Sequence, residues 1–455
     1  MGTITHAAEM KAFEVALNAV VRKTEKGRRN GYVGVVNAIE AVLGDGWKPE
    51  AYDALREAFG KEGKWAGFMD NLLVNYDTDY IKGLMMSLGY EGGFSGFRQT
   101  KRKEKELGMK IPWIILFDPT SACNLHCAGC WASEYKKTLN LSYEDMNNLV
   151  CQGKELGVHE YLMTGGEPLC RKKDIVALAK EHPDCGFMIF TNGTLIDEPF
   201  CEDVLACKNI LLILSIEGFE AATDGRRGSG VFRKVTDSMG LMKEKGLVFG
   251  TSVCYTRNNI DAVTSDEFFD FLIKKGAVFS WYFHYMPVGN DAAPELIPTA
   301  SQREYMYHRI REVRGLEGGK PIFLMDFQND GEFVGGCIAG GKYYCHINPN
   351  GDVEPCVFIH YSGANIHDMP LKECLEQPLF KAYQEEQPFN KNMLRPCPML
   401  ENPQYLRSII ERTGAKSTDM LSPESCEHLC SKCDAYAAEW EPSANKLWSA
   451  RHLER

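Results

Sequence analysis

Residues 111–131 read IPWIILFDPTSACNLHCAGCW, an apolar run of strand length that breaks at Asp118-Pro119 into a loop bearing Cys123, Cys127 and Cys130. The run is too short for a helix of ordinary length and predicts a buried strand, which puts the three thiols on a loop at its C-terminal end. Three thiolates suit a four-iron cluster and leave one iron without a protein ligand, free for a substrate or cofactor. The rival is a zinc knuckle, which wants four tetrahedral ligands and finds no obvious fourth nearby.

Outward from this stretch the pattern repeats. EYLMT, GFMIFTN, NILLILSIE, VFGTSVCYT and VFSWYFHYM are further strand candidates, with amphipathic stretches between them such as LSYEDMNNLVCQGKELG, where Ser142 and Asp145 have capping-box spacing. Six β/α repeats imply an α/β fold with a parallel sheet, either doubly wound or curled into a partial barrel, and both place sites at the C-terminal strand ends. Residues 1–97 have apolar positions at helical spacing and predict a helical N-terminal domain. Residues 98–110 look like a basic linker, 111–330 form the β/α core, and 331–455 form a Cys-, Gly- and Pro-rich extension that metal sites would staple.

The net charge of -11 argues against a general nucleic-acid-binding surface, although the basic stretch leaves open a contact with an acidic partner or a membrane surface. No apolar run approaches the ~20 residues needed to span a bilayer, and the N-terminus lacks a secretory pattern, so a cytoplasmic location is expected. Seventeen cysteines in a reducing compartment point to metal ligation rather than disulfides.

The C-x3-C-x2-C loop resembles the radical S-adenosylmethionine (AdoMet) superfamily, and the resemblance extends along the chain. TGGEPL, from Thr164 to Leu169, looks like the family's GGE motif. The resemblance implies that Gly165, Gly166 and Glu167 hold the amino group of the methionine moiety. It also implies that Asn192 of TNGTLI, Ser215 and Glu217 of LSIEG, and Arg227 of DGRRGSGVF line the AdoMet pocket, with the arginine near the carboxylate. An arginine suits that group because its planar fork binds both oxygens. YMPVGND after the sixth strand resembles the segment beneath the adenine. Many relatives carry an aromatic residue just before the third cysteine, where this chain has Gly129.

The C-terminal region is similar to the SPASM or twitch extension, whose cysteines bind one or two auxiliary four-iron clusters. Gly351 and Cys356 match its G-x4-C step, with Cys337 and Cys345 upstream and Cys397, Cys426, Cys430 and Cys433 downstream. Which thiol joins which cluster stays open, and zinc at the last three is the rival. Relatives that mature sulfatases have an aspartate after that step; this chain has Val357. Cys151, Cys170, Cys185, Cys201, Cys207, Cys254 and Cys374 are assigned to packing.

The implied reaction is reductive cleavage of AdoMet to a 5′-deoxyadenosyl radical that abstracts hydrogen from a substrate, fed by a donor such as flavodoxin or ferredoxin. A peptide or protein is the first substrate class, and a lipid or isoprenoid the alternative, motivated by the helical N-terminus and the C-A-G-C loop. A plain iron–sulfur electron carrier or a zinc-binding module would explain the cysteines but not TGGEPL one strand later.

Overall fold

The computed structural model describes residues 3–21, 31–37, 39–40, 49–60, 63–133, 135, 138–290, 292–316 and 318–453. All six expected strands are present: β1 (Ile114–Phe117), β2 (Glu160–Met163), β3 (Gly186–Thr191), β4 (Ile210–Ser215), β5 (Phe249–Tyr255) and β6 (Ala277–His284). Three more extend the sheet, namely β7 (Phe323–Asp326), β8 (Tyr344–Ile347) and β9 (Val353–Glu354). The order is β7-β6-β5-β4-β3-β2-β1-β8-β9, with every pair parallel except β8 with β9. Each connection between parallel neighbours in the core is a crossover helix, so all the strand-to-helix loops gather on one side.

Local chemistry fixes the helix ends that aim those loops. Tyr143–Leu156 starts at a capping box between Ser142 and Asp145 and stops at Gly157 in the left-handed region. Asp266–Lys275 starts at the Ser265 side chain and stops at Gly276. Helices cover the outward faces of the strands, and Ile115, Phe117, Tyr161, Ile189 and Leu212 are fully buried.

The N-terminal helices include Thr3–Val21, Pro49–Gly60 and Lys64–Asn75, followed by an unbroken rod from Thr78 to Leu107 whose middle, Met85–Gly96, is wound as a π-helix. This rod lies against the N-terminal strand ends, opposite the loops: Tyr80 Oη donates to the Ile210 carbonyl at 2.6 Å and Trp113 Nε1 to the Gly92 carbonyl at 3.2 Å. The stretch expected to be a basic linker is therefore mostly helix, Phe97–Leu107. Its charges alternate in sign at helical spacing, as in Lys101–Glu104 at 2.9 Å and Lys103–Glu106 at 3.3 Å, and no breaker occurs before Gly108. No helix among the described residues is long and apolar enough to cross a membrane.

The C-terminal extension is held to the core by a buried ion pair. Arg303, on the helix Ala300–Arg314, meets Glu401 at 2.5 Å with both side chains 0% exposed. The guanidinium also donates to Asn329 Oδ1 and the Leu394 carbonyl, and lies over the Trp440 ring of the long helix Cys426–Leu453. Such pairs stabilise little over a well-packed apolar replacement, but breaking one strands a buried charge. Arg303→Ala is expected to cost about 3–5 kcal/mol in denaturant unfolding. Arg303→Met combined with Glu401→Leu should cost clearly less than Arg303→Ala; equal losses would show that the charges do not act as a pair.

Candidate active site

The C-terminal ends of β1 to β6 and residues of the extension enclose a cavity of about 270 Å³. Cys123, Cys127 and Cys130 all line it, on the loop that leaves β1. That loop is strapped to the next motif through backbone: Gly166 N–H donates to the Thr120 carbonyl at 3.0 Å and Glu167 N–H to that of Ala122 at 2.8 Å. A Cβ at Gly166 would stand 2.3 Å from the Ala122 carbonyl oxygen, so only glycine permits this approach. Gly129 has φ +62°, and a Cβ there would lie 2.5 Å from the Tyr285 hydroxyl. Tyr285, just after β6, thus fills the space beside the third cysteine.

Burial pushes the Cys123 thiol up to about 11, against the Leu125 N–H that bonds its sulfur. Burial also raises Cys127, while Arg227 and Arg226 pull it back. Glu217 organises these arginines. Its Oε1 accepts from Arg226 Nη1 at 2.6 Å and from Arg227 Nη2 at 2.5 Å, while its buried Oε2 has no hydrogen-bond partner. Burial acts to raise the Glu217 pKa, and the two arginines outweigh it and hold the carboxyl below its usual range. Two guanidinium groups on one carboxylate leave one net positive charge facing the cavity.

Of the expected AdoMet residues, Gly165, Gly166, Glu167, Asn192, Ser215 and Arg227 line the cavity. Glu217 does not; it stands behind Arg226 and Arg227. Arg226 also reaches the cavity and holds the cysteine loop, with its carbonyl accepting from Ala128 N–H at 2.9 Å. Glu167 accepts from Thr191 Oγ1, Leu169 N–H and Asn192 N–H, which fixes the carboxylate and leaves room for one more donor. Burial raises its pKa against those three bonds. The Asn192 amide is spent on Asn124, a residue of the cysteine loop. Cys254, assigned to packing from sequence, lines the cavity next to Arg226.

The residue types alone did not disclose the charge bridge beneath Trp131. His346 of β8, fully buried, lies 2.6 Å from Glu354 Oε2 and 3.1 Å from Asp118 Oδ2, the latter off the hydrogen-bond line. Glu354 also accepts from Tyr135, Asn348 and Thr418. The Trp131 ring sits edge-on to His346 and to His360, and His360 pairs with Asp419 at 2.6 Å. Trp131 follows the third cysteine, so the bridge underpins the loop.

In the extension, strand parity sorts the thiols. Tyr344 and His346 face the cavity side of β8, and Cys345 between them faces the other layer, where Cys374 is its charge neighbour. Cys345 is therefore not brought to the other candidate ligands. Cys337, Cys356 and Cys397 are neighbours of one another, and the Tyr344 hydroxyl lies 2.7 Å from the Cys356 sulfur. Cys426, Cys430 and Cys433 form a second group, with the first two sulfurs 3.8 Å apart. Glu401 adjoins both groups, accepting from Cys397 N–H at 2.7 Å.

Three thiols, a fixed carboxylate and a paired-arginine cation around one cavity are a donor set fit for an iron–sulfur cluster and an amino-acid-bearing cofactor. The comparisons with known proteins agree. The Radical SAM superfamily profile matches residues 117–271, and SPASM, an iron–sulfur cluster-binding domain, matches 337–399. An AdoMet-dependent heme synthase of Methanosarcina barkeri is 24% identical over 58% of this chain and 82% of its own. A mycofactocin maturase of Mycolicibacterium smegmatis is 28% identical over 56% of this chain and 66% of its own. Streptococcus suis SuiB bound to the precursor peptide SuiA shares the fold, with a TM-score of 0.55 at 18% identity over 74% of this chain and 79% of that one. The protein is thus an enzyme of a class whose domains imply iron–sulfur clusters and AdoMet binding. It belongs to the radical SAM superfamily and carries a SPASM domain.

The charge bridge makes stability depend on pH. Burial pushes the His346 pKa down, but Asp118 and Glu354 outweigh this and carry it from 6.5 to about 10. A raised histidine stabilises the fold fully below its unfolded pKa, and that contribution falls as pH rises through the folded one. The stability advantage of wild type over His346→Gln should therefore be largest at or below pH 6.5 and shrink toward nothing near pH 10. Denaturant unfolding across that range measures it; a constant difference would show that His346 is not the titrating group.

Proposed function

We propose that the chain binds a [4Fe-4S] cluster through Cys123, Cys127 and Cys130, holds AdoMet beside it, and cleaves it reductively to begin radical chemistry on a substrate. The observation that carries this reading is the convergence of the three thiols, Glu167 and the Arg226–Arg227 pair on one cavity. When bound, these groups would supply radical abstraction of a hydrogen atom from an unactivated carbon, which no side chain could do. The chain's part is to orient and shield. The net positive charge left by Glu217 and its two arginines suits a carboxylate, and the remaining lone-pair direction of Glu167 suits an ammonium. Ser215, at the end of β4, is available to a ribose hydroxyl. The apolar walls would keep water and stray hydrogen donors from the reacting atoms once the bound groups and substrate fill the cavity.

One or two auxiliary clusters are assigned to the group Cys337, Cys356 and Cys397 and the group Cys426, Cys430 and Cys433, each of which would supply three thiolates and leave one iron without a thiolate. For the last three, zinc is a second reading. Thiolates at ~2.3 Å from one tetrahedral ion stand roughly 3.8 Å apart, and Cys426 and Cys430 are 3.8 Å apart. Electrons would come from a flavodoxin- or ferredoxin-like donor.

A peptide or protein is the substrate class that the relatives favour, since they include a mycofactocin maturase, a PqqA peptide cyclase and SuiB with its precursor peptide. A lipid or isoprenoid is the second reading, favoured by the apolar lining of the cavity. After anaerobic reconstitution, a Cys123/Cys127/Cys130→Ala chain should hold about four fewer irons and release no 5′-deoxyadenosine under dithionite, while keeping the metal of the extension. Unchanged iron, or deoxyadenosine from the variant, would refute the assignment. Zinc counted in both chains decides the second reading of the last three cysteines.

A further inference from the structure

We propose that the wall of the cavity facing the cysteine loop receives a long hydrocarbon chain, of fatty-acyl or isoprenoid kind, as the reacting part of the substrate. This deepens the radical reading above and rests on it. The wall is aromatic. Phe190 on β3 stacks on Trp281 of β6 at 5.6 Å between ring centres, Phe283 lies 5.9 Å from Trp281, and Phe327, just past β7, lies 5.2 Å from Phe283. All four line the cavity. Trp281 and Phe283 share the inward face of β6 by strand parity, while β4 and β5 offer the small Ser215 and Ser252, which leaves open space before the rings. The extension closes over it with Ile338, Val357 and Phe358.

The decisive feature is what this wall withholds. The charged side chains lining the cavity, Glu167, Arg226 and Arg227, belong to the cysteine-loop end. His284 terminates the wall, but both ring nitrogens are engaged: Nδ1 bonds the Tyr285 carbonyl at 2.7 Å and Nε2 the Tyr436 hydroxyl at 2.9 Å. Since a carbonyl can only accept, Nδ1 carries the proton and Nε2 accepts from Tyr436. The Tyr344 hydroxyl donates to Cys356 and accepts from Val357 N–H, and that of Tyr285 accepts from Ala293 N–H and keeps its own hydrogen to donate. The hydroxyls of Ser215 and Ser252, the Tyr285 O–H, the Cys254 thiol and the Trp281 indole N–H remain, none of them charged and too few for the paired groups of an extended backbone.

That inventory discriminates between occupants. An extended peptide brings two backbone polar groups per residue, each needing a partner when desolvated. An ionised side chain would need a counter-charge, and a buried phenol or indole a hydrogen-bond partner. A hydrocarbon chain asks for none of these and gains by leaving water. Its methylene carbons carry no hydrogen that a side-chain base could remove, so radical abstraction suits it as it does other unactivated carbons.

The test is equilibrium dialysis of the reconstituted holoenzyme, saturated with AdoMet, against radiolabelled hexadecanol, whose neutral head offers the arginines no negative charge to pair with. Saturable binding of one equivalent is expected, with competition by geranylgeraniol and none by a tyrosine-containing peptide. Phe283→Asp places a bare charge in the wall and should weaken binding by about tenfold or more; Phe327→Ser serves if that variant does not fold, with thermal unfolding as the control. Absence of binding, binding unchanged in a folded variant, or competition by the peptide would overturn the proposal. Deoxyadenosine release by wild type is scored separately. If it occurs while hexadecanol fails to bind, the hydrocarbon proposal alone falls; if hexadecanol binds but no deoxyadenosine forms, the radical reading falls.

Discussion

Everything on the cavity side depends on β1 being hydrogen-bonded along both edges. It pairs in parallel with β2 on one side and β8 on the other, with Ile115 opposite Tyr161 and Cys345. In an open barrel of six strands, β1 would be a free edge, a row of unpaired backbone groups directly below the cysteine loop. Donating β8 from the extension removes that edge and fixes where the extension's own residues fall. The His346 bridge locks the joint, because Asp118 directly follows β1, His346 sits on β8 and Glu354 on β9. One buried cation between two carboxylates is tolerable only where all three are held, so its geometry and the strand register enforce each other.

The same joint explains what the sequence disclosed and what it hid. The six core strands were legible because each is an apolar run bounded by turn residues, and the three cysteines followed the first by simple adjacency. The strand β7, FLMD, is only four residues long, and its pairing with β6 is set by tertiary contact. The fate of Cys345 was beyond reach for a related reason. Its spacing from Cys337 and Cys356 looks suitable along the chain, but a strand sends neighbouring side chains to opposite faces. Without knowing that residues 344–347 form a strand beside β1, nothing separates a ligand from a packing thiol.

The arginines show the opposite case, in which the residues were visible and their division of labour was not. Arg226 and Arg227 are adjacent in a helix of eight residues, Glu220–Arg227, and consecutive helical residues normally point about a quarter-turn or more apart. Here both converge on Glu217 because that carboxylate is fully buried and two cations are needed to leave it charged and the site positive. Glu217 is thus a positioning group, although its motif suggested a cavity-lining one. The aromatic wall, by contrast, could have been found: in VFSWYFHYM, Phe279, Trp281, Phe283 and Tyr285 recur with period two.

The cavity therefore separates its chemistry by strand. The loops after β1 and β2 carry the thiols, the glycines and the fixed carboxylate, and the arginine helix follows β4, while Phe190 of β3, β6 and the turn after β7 carry rings. Polar groups at one end are tied to each other through the loop backbone, which makes that end stiff before any ligand arrives and lowers the ordering cost of binding. The opposite wall makes few directional contacts, so it selects by shape and by refusal of charge. A site built this way fixes the reagent tightly and holds the substrate by exclusion of water, which suits a reaction whose reactive species must meet one carbon and nothing else.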